Sequence, residues 1–365
     1  MSLQIGIVGL PNVGKSTLFN ALTGAGAAVA GYPFTTIDPN VGVVPVPDER
    51  LTQLAALIDP EKVVPATVEF VDIAGLVAGA SQGAGLGNQF LGHIRNVDAV
   101  AMVVRAFQDP DVPHVSEELH PLADIATLDT ELLLADLATI ERRLEKIAVQ
   151  SKANPREVAA ETEVLQRAQA HADEGNLLSS LVLDEVELAL MGSLDLLTAK
   201  PRLYVINVGE DDLPAGGSLA DAVRARAVAE GAQVVVLCAD LEAALYDWPA
   251  DEAQEYRRDL GLNEPGLHSL IRAGFRLLDL ITFFTATGGK VLHAWELGQG
   301  STVYEAAGKI HTDMQRGFIR SEVVPQPQLI AAGSFHHARE QGHLRLEGRD
   351  YVVQDGDVIH IRFAV

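Results

Sequence analysis

The chain has a single cysteine, Cys238, which excludes an intramolecular disulfide and fits a reducing compartment. No apolar run is long enough to span a bilayer, no secretory leader is evident, and a strand pattern begins almost at once. A cytoplasmic protein without a membrane anchor is the expectation. Positive charge is scarce: 27 Lys and Arg stand against 50 Asp and Glu, a net charge of −23. Self-repulsion from phosphates then argues against a general polyanion binder. The deficit is uneven, because from Leu280 to Val365 eight basic side chains meet nine acidic ones, and six of the eleven histidines lie there. That region is the part least repelled by RNA. Internal repeats and low-complexity segments are missing too. What is present, 365 residues of which 48% are hydrophobic, can form real cores in two or three domains.

The most informative stretch is Gly9-Leu10-Pro11-Asn12-Val13-Gly14-Lys15-Ser16-Thr17. It follows the apolar run Ile5 to Val8 and opens a helical pattern, Leu18 to Leu22, the strand–loop–helix context of a phosphate-binding P-loop. Backbone N–H groups of such a loop line a concavity, and the helix N-terminus adds its positive end. Lys15 is expected to reach the β- and γ-phosphates, and the Ser16 hydroxyl to ligate Mg²⁺.

Short β-type runs recur at Gln4–Gly9, Ala66–Asp72, Asp98–Val104, Arg202–Val208 and Gln233–Cys238, with helical patterns between several of them. This predicts an α/β domain with a mostly parallel sheet. Asn40–Val46, punctuated by Pro45 and Pro47, reads as an edge strand. Residues 117–199 read as a helical insertion, an antiparallel hairpin of coiled-coil character with helices over Leu122–Gln150, Arg156–Asp173 and Leu181–Thr198. It carries no catalytic chemistry and suits a projecting arm for a protein partner. After Asp279 come short strands, Ile281–Thr285, Val291–Trp295, Tyr351–Val353 and Val358–Phe363, with Asp355-Gly356-Asp357 turning between the last two. The expected division is a nucleotide-binding domain over 1–279, interrupted by 117–199, and a small α+β domain over 280–365.

Asp72-Ile73-Ala74-Gly75 ends the second parallel strand, where a carboxylate holds Mg²⁺ through water and a glycine N–H approaches the γ-phosphate. Between this motif and the P-loop lies Tyr32-Pro33-Phe34-Thr35-Thr36-Ile37-Asp38-Pro39-Asn40, where a threonine can complete the Mg²⁺ shell. Leu76 follows Gly75, at the place where a water-orienting glutamine would stand in a Ras-like GTPase. Leucine cannot orient water, so another group or a partner must serve; His114 ranks before His93 as the candidate.

For the base, guanine readers use Asn-Lys-x-Asp, and this chain has Asn207-Val208-Gly209-Glu210. Glutamate is one methylene longer than aspartate and would crowd or miss the guanine edge. A lost buried pair costs about 1–3 kcal/mol, enough to erase guanine preference. Asn207 is expected to pair with N6 and N7 of adenine, Val208 to pack on the ring, and Cys238-Ala239-Asp240 to cover the base. ATP over GTP is the reading.

Together these motifs resemble the YchF/Obg-like ATPases, a branch of the Obg-related translation-factor P-loop proteins, and the likeness spans nearly the whole chain. Ala-Ala-Gly-Lys-Ile-His-Thr-Asp (306–313) and Tyr-Val-Val-Gln-Asp-Gly-Asp-Val-Ile-His (351–360) are similar to the TGS domain of that family, a β-grasp module. The resemblance implies an Obg-type P-loop NTPase domain with a coiled-coil insertion and a C-terminal TGS domain. It also implies ATP preference, slow intrinsic hydrolysis and a switch role in translation or stress regulation on the ribosome, with the large subunit as the expected partner and RNA met through the TGS domain. Carried onto this chain, Asn12, Val13, Gly14, Lys15, Ser16 and Thr17 bind phosphates, and Ser16 and Thr36 hold Mg²⁺. Val208 contacts the base, and His114 is the proposed catalytic group. Asn12 matches a P-loop asparagine that coordinates K⁺ in some related NTPases. Two alternatives stay open, a conventional GTPase switch and an ATP-gated adaptor with negligible turnover; a metabolic kinase fits worst. Nothing demands more than a monomer.

Overall fold

The computed structural model describes residues 3–24, 28–29, 40–73, 75, 86–112, 119–151 and 158–364. In chain order the strands are β1 (Gln4–Val8), β2 (Ala28–Val29), β3 (Asn40–Pro45), β4 (Lys62–Val64), β5 (Thr67–Asp72), β6 (Ala99–Ala106), β7 (Arg202–Val208), β8 (Gln233–Leu237), β9 (Leu280–Thr287), β10 (Val291–Gly298), β11 (Phe318–Pro325), β12 (Arg345–Glu347) and β13 (Asp357–Phe363). The helices used below are α1 (Lys15–Gly24), α2 (Glu49–Ile58), α3 (Leu86–Arg95), α4 (Pro121–Gln150), α5 (Ala159–Asp173), α6 (Glu185–Gly192), α7 (Gly217–Glu230), α8 (Ala239–Ala244) and α9 (Ala250–Asp259). Among the described residues no helix is long and apolar enough to cross a membrane.

The first sheet runs β2-β3-β5-β1-β6-β7-β8. Its β5–β1–β6–β7–β8 portion is parallel, as the alternation of strand and helix predicts. Every residue of β6 and β7 is buried, the near-continuous burial of strands in a sheet covered on both faces. β3 was expected at an edge and lies one strand in, because the short β2 pairs antiparallel with it. Pro45 is its last residue, where a missing N–H is tolerated.

Two helices of the insertion appear close to the expected bounds. α5 folds back on α4, burying Ile140, Ile147, Val164, Leu165 and Ala168 together, and Arg143 forks onto Glu161 at 2.5 and 2.9 Å. The third helix is much shorter than the predicted 181–198. Asp184 caps its start in a capping box with Glu187, and helical structure stops at Gly192. The physical reason lies on α4. The fully buried Asp136 carboxylate accepts from Leu197 N–H (2.7 Å), Thr198 N–H (2.8 Å) and the Thr198 hydroxyl (2.7 Å), so the returning chain bonds to a side chain instead of to its own helix. α4 is tied to the sheet domain by Asp129, which receives Arg202 of β7 at 2.7 Å and Arg226 of α7 at 2.5 Å.

The chain divides into two compact units, Met1–Val43 with Glu69–Leu270, and Val44–Val68 with Ile271–Val365. The second unit thus includes a segment that the sequence reading assigned to the nucleotide domain. Its sheet runs β12-β11-β13-β9-β10-β4, and β4 joins because Leu292 of β10 lies parallel beside Val63. α2 belongs there too: Arg50 bonds both Asp48 and Asp355 at 2.7 Å, and Gln53 accepts from Gln326 at 2.8 Å. Phe283, Val303, Ala306, Val323 and Ile359 form its core. The sequence reading omitted β11 and β12, and Tyr351–Val353 is not a strand. Its Val352 makes one isolated bridge to Thr302, while Tyr351 Oη and Gln354 N both donate to Asp357 Oδ2, at 2.7 and 2.9 Å. A side chain, not a ladder, holds that turn.

Candidate functional site

Strand register brings the sequence motifs to one edge of the first sheet. Ile7 pairs with Asp72, Val8 with Met102, Arg105 with Asn207 and Asn207 with Leu237. The segments leaving the carboxyl ends of β1, β5, β6, β7 and β8 are therefore neighbours, the position where open parallel sheets bind ligands. The loop after β1 is left-handed at Asn12 (φ 61°) and Gly14 (φ 94°), and α1 begins directly at Lys15. A Cβ on Gly14 would lie 2.2 Å from Asn207 Nδ2, so only glycine fits. The N–H groups of Lys15, Ser16 and Thr17 are first-turn donors without intrahelical partners, an anion cradle.

Lys15 is buried, and its ammonium donates to the Leu10 carbonyl at 2.6 Å, folding the side chain back over the loop. Burial lowers its pKa to about 8, against the attraction of Asp72, which pulls the other way. Burial likewise raises the Asp72 pKa, with the Lys15 charge opposing. A Cβ on Gly75 would sit 3.0 Å from Lys15 Nζ and 3.3 Å from Pro11 N, so glycine is what admits this close approach. Ser16 is exposed and Asp72 half-buried, leaving a hydroxyl and a carboxylate oxygen on offer. Those hard donors fit Mg²⁺, which takes few protein ligands and fills its octahedron with water and phosphate. No cage of three or more His, Cys, Asp or Glu occurs among the described residues.

On the base side the structure departs from two expectations. Asn207 is buried; its amide N–H donates to Val13 O at 3.0 Å and its carbonyl accepts from Ala239 N–H at 2.9 Å. Both ends of the amide are committed inside the protein, so Asn207 ties the P-loop to the loop after β8 instead of presenting an adenine-reading pair. Val208 is 1% exposed and has almost no surface left for a ring. Cys238 is a buried free thiol at the N-cap of α8, its pKa raised by burial. Glu210 is exposed, and its carboxylate accepts from the Tyr256 hydroxyl, which raises the Tyr256 pKa.

Thr36, Leu76 and His114 lie outside the described residues. His93 falls in the last turn of α3. Asp98, just beyond that helix, donates its N–H to Gln4 O, so α3 ends level with the start of β1, at the sheet edge opposite the P-loop.

Sequence reasoning missed Arg105. Its guanidinium, 2% exposed, donates to the carbonyls of Asn12 (3.1 Å), Phe107 (3.2 Å) and Val112 (2.9 Å) and lies 4.4 Å from the Phe107 ring centroid. It clamps the strained Asn12 turn to the loop after β6. The available signal was one charge in the otherwise apolar run Ala99–Ala106. A second missed feature is a cavity of about 310 Å³ at the base of the helical arm, lined by Arg95, Thr139, Arg142, Arg143, Lys146 and Leu194.

A glycine loop between β1 and α1, a lysine folded over it and a carboxylate at the end of the neighbouring strand define a P-loop NTPase. Residues 4–135 match the family described as 50S ribosome-binding GTPase, and residues 280–364 match the YchF-GTPase C-terminal family, described as a protein of unknown function (DUF933). The chain is 48% identical to the ribosome-binding ATPase YchF of Bacillus subtilis (strain 168) and 49% identical to that of Haemophilus influenzae, each alignment covering 100% of both chains. The structure of the Schizosaccharomyces pombe YchF GTPase superposes with a TM-score of 0.88 at 33% identity, covering 99% of this chain and 98% of that one. The chain belongs to the YchF family.

Proposed function

We infer that the protein is a ribosome-associated P-loop ATPase that hydrolyses ATP slowly and uses the nucleotide as a switch in translation. The observation that carries this reading is identity of nearly one half over the full length of relatives named ribosome-binding ATPases, with the Lys15–Asp72–Gly75 arrangement intact. In this reading Asn12 to Thr17 cradle the phosphates and Lys15 neutralises the β- and γ-oxygens. Ser16 and Thr36 would hold Mg²⁺ directly and Asp72 through water; the ion, when bound, would neutralise charge on the transferring phosphoryl group. Asn12 is the residue through which K⁺ would act. Leu76 leaves water unoriented, which accounts for slow turnover, and His114 is the candidate that supplies the missing group. Glu210 disfavours guanine. Loss of the γ-phosphate releases the segments around Thr36 and Gly75, and the switch is read by the helical arm and the C-terminal TGS module.

A ribosomal contact by so acidic a chain has to run through local positive charge. In the C-terminal unit, Lys309 is paired with Glu296 at 2.8 Å and Arg316 with Asp313 at 2.6 Å. Arg320 is exposed and has no partner among the described residues, and the same holds for Lys146 beside the arm cavity. The protein is expected to co-sediment with ribosomes in the presence of a non-hydrolysable ATP analogue, and ribosomes are expected to raise ATP turnover. Arg320→Glu should weaken co-sedimentation at least about threefold and lower the salt slope by about one, with ribosome-free turnover unchanged. An unchanged slope would remove the C-terminal unit from the contact; no ribosome binding with any nucleotide would overturn the function.

A further inference from the structure

The ATP preference above rests on Glu210 failing to read guanine, and in the structure that carboxylate already has a partner. Glu210 opens the short 3₁₀ turn Glu210–Asp212 that directly follows β7, and it is exposed. An exposed glutamate on a flexible stem would ordinarily sample many rotamers, including ones aimed at a base. Here one carboxylate oxygen accepts the Tyr256 hydroxyl. The Tyr256 ring is not free to follow. It belongs to α9 and packs against the cluster of Cys238, Leu241, Leu245 and Ala253, while its centroid lies 5.5 Å from that of Trp248. Cys238 and Leu241 belong to the segment after β8 that Asn207 ties to the P-loop through Ala239. The phenol–carboxylate bond is thus a strut from the turn after β7 to α9, which packs on the segment after β8.

We propose that Tyr256 is a specificity-positioning residue, whose hydroxyl holds the Glu210 carboxylate off the base and so denies guanine its acceptor. The chemistry is asymmetric between the two purines. Guanine offers N1–H and N2–H donors that a carboxylate free to choose its rotamer would meet in part despite the extra methylene, whereas adenine has an acceptor at N1 that a carboxylate would repel. Removing the hydroxyl frees the carboxylate and should favour GTP selectively. This proposal rests on the reading of Glu210 as the residue that disfavours guanine.

The test is equilibrium binding of fluorescent ATP and GTP analogues with Mg²⁺ to the full chain and to Tyr256→Phe, Glu210→Ala and the double variant. Phenylalanine keeps the ring and its packing, so a purely structural role for Tyr256 would leave the GTP/ATP affinity ratio where it was. The expected result is a rise of about 3- to 10-fold in that ratio for Tyr256→Phe, the effect of releasing one hydrogen-bonded acceptor. In the Glu210→Ala background the same substitution should leave the ratio unchanged, because the two residues act as one unit. A Tyr256→Phe ratio equal to wild type, with wild type still preferring ATP, overturns the strut and leaves the ATP reading standing. A wild-type chain that binds both nucleotides equally, or prefers GTP, overturns the ATP reading and the strut together.

Discussion

Replacing Lys15 by methionine is expected to lower kcat/KM for ATP by about a thousandfold or more, since its buried ammonium is held over the loop where phosphate charge must be met. Methionine fills similar space, so the loop keeps its packing and loses only the charge and the bond to Leu10 O. The same group gives a pH signature. Its pKa in the ligand-free protein is about 8, and a bound polyphosphate favours the ammonium and raises that value. Below pH 7 Lys15 is already charged and binding takes up almost no proton. By pH 9 it is largely neutral, so each nucleotide bound should take up close to one proton, and affinity should fall by about tenfold per pH unit once the pH exceeds 8. Titration calorimetry in two buffers of different ionisation enthalpy reads this directly. Proton uptake near zero at pH 9 would show that Lys15 does not face the phosphates.

The second large effect concerns the arm. Asp136→Ala removes the acceptor shared by two backbone N–H groups and a hydroxyl, all at a fully buried site. Burial raises the Asp136 pKa and the three donors act in the opposite sense, which is the signature of a carboxylate held in place by its partners. Each orphaned donor carries a desolvation cost of about 1–3 kcal/mol, so a loss of about 3 kcal/mol or more at the junction of α4 with the chain entering β7 is expected. Because a two-unit chain need not unfold in one step, hydrogen exchange is the better reading. The amides of Leu197 and Thr198 should lose at least about a hundredfold in protection. Unchanged protection would mean that the packing of Leu196 and Leu197 alone holds the segment.

The parts of the fold that were legible are those with strong local signals. The P-loop, the parallel strands and α4 each combine periodicity with clear punctuation, and they appear within a few residues of their expected bounds. What escaped depended on contacts distant in sequence. The third helix of the insertion has an apolar pattern through Leu197, yet it ends at Gly192, and Leu197 and Thr198 bond instead to a carboxylate some sixty residues earlier. β4 carries no signal of its own, being three residues that matter only because β10 lies beside them. At the candidate site, the residue types at Asn207 and Glu210 were visible, but their employment was not. A sequence cannot show that Val13 O and Ala239 N–H already occupy Asn207, or that a tyrosine on α9 takes the Glu210 carboxylate. Arg105 shows the same limit: its charge could be seen, and its carbonyl partners could not.

Whether this P-loop serves adenine is read most directly by equilibrium binding of ATP and GTP to the purified full chain with Mg²⁺. ATP should bind at least about tenfold more tightly, the scale of one buried hydrogen-bonded pair denied to guanine. GTP bound as tightly as ATP, or more so, would contradict it and would make the protein a GTPase with an unusual base loop.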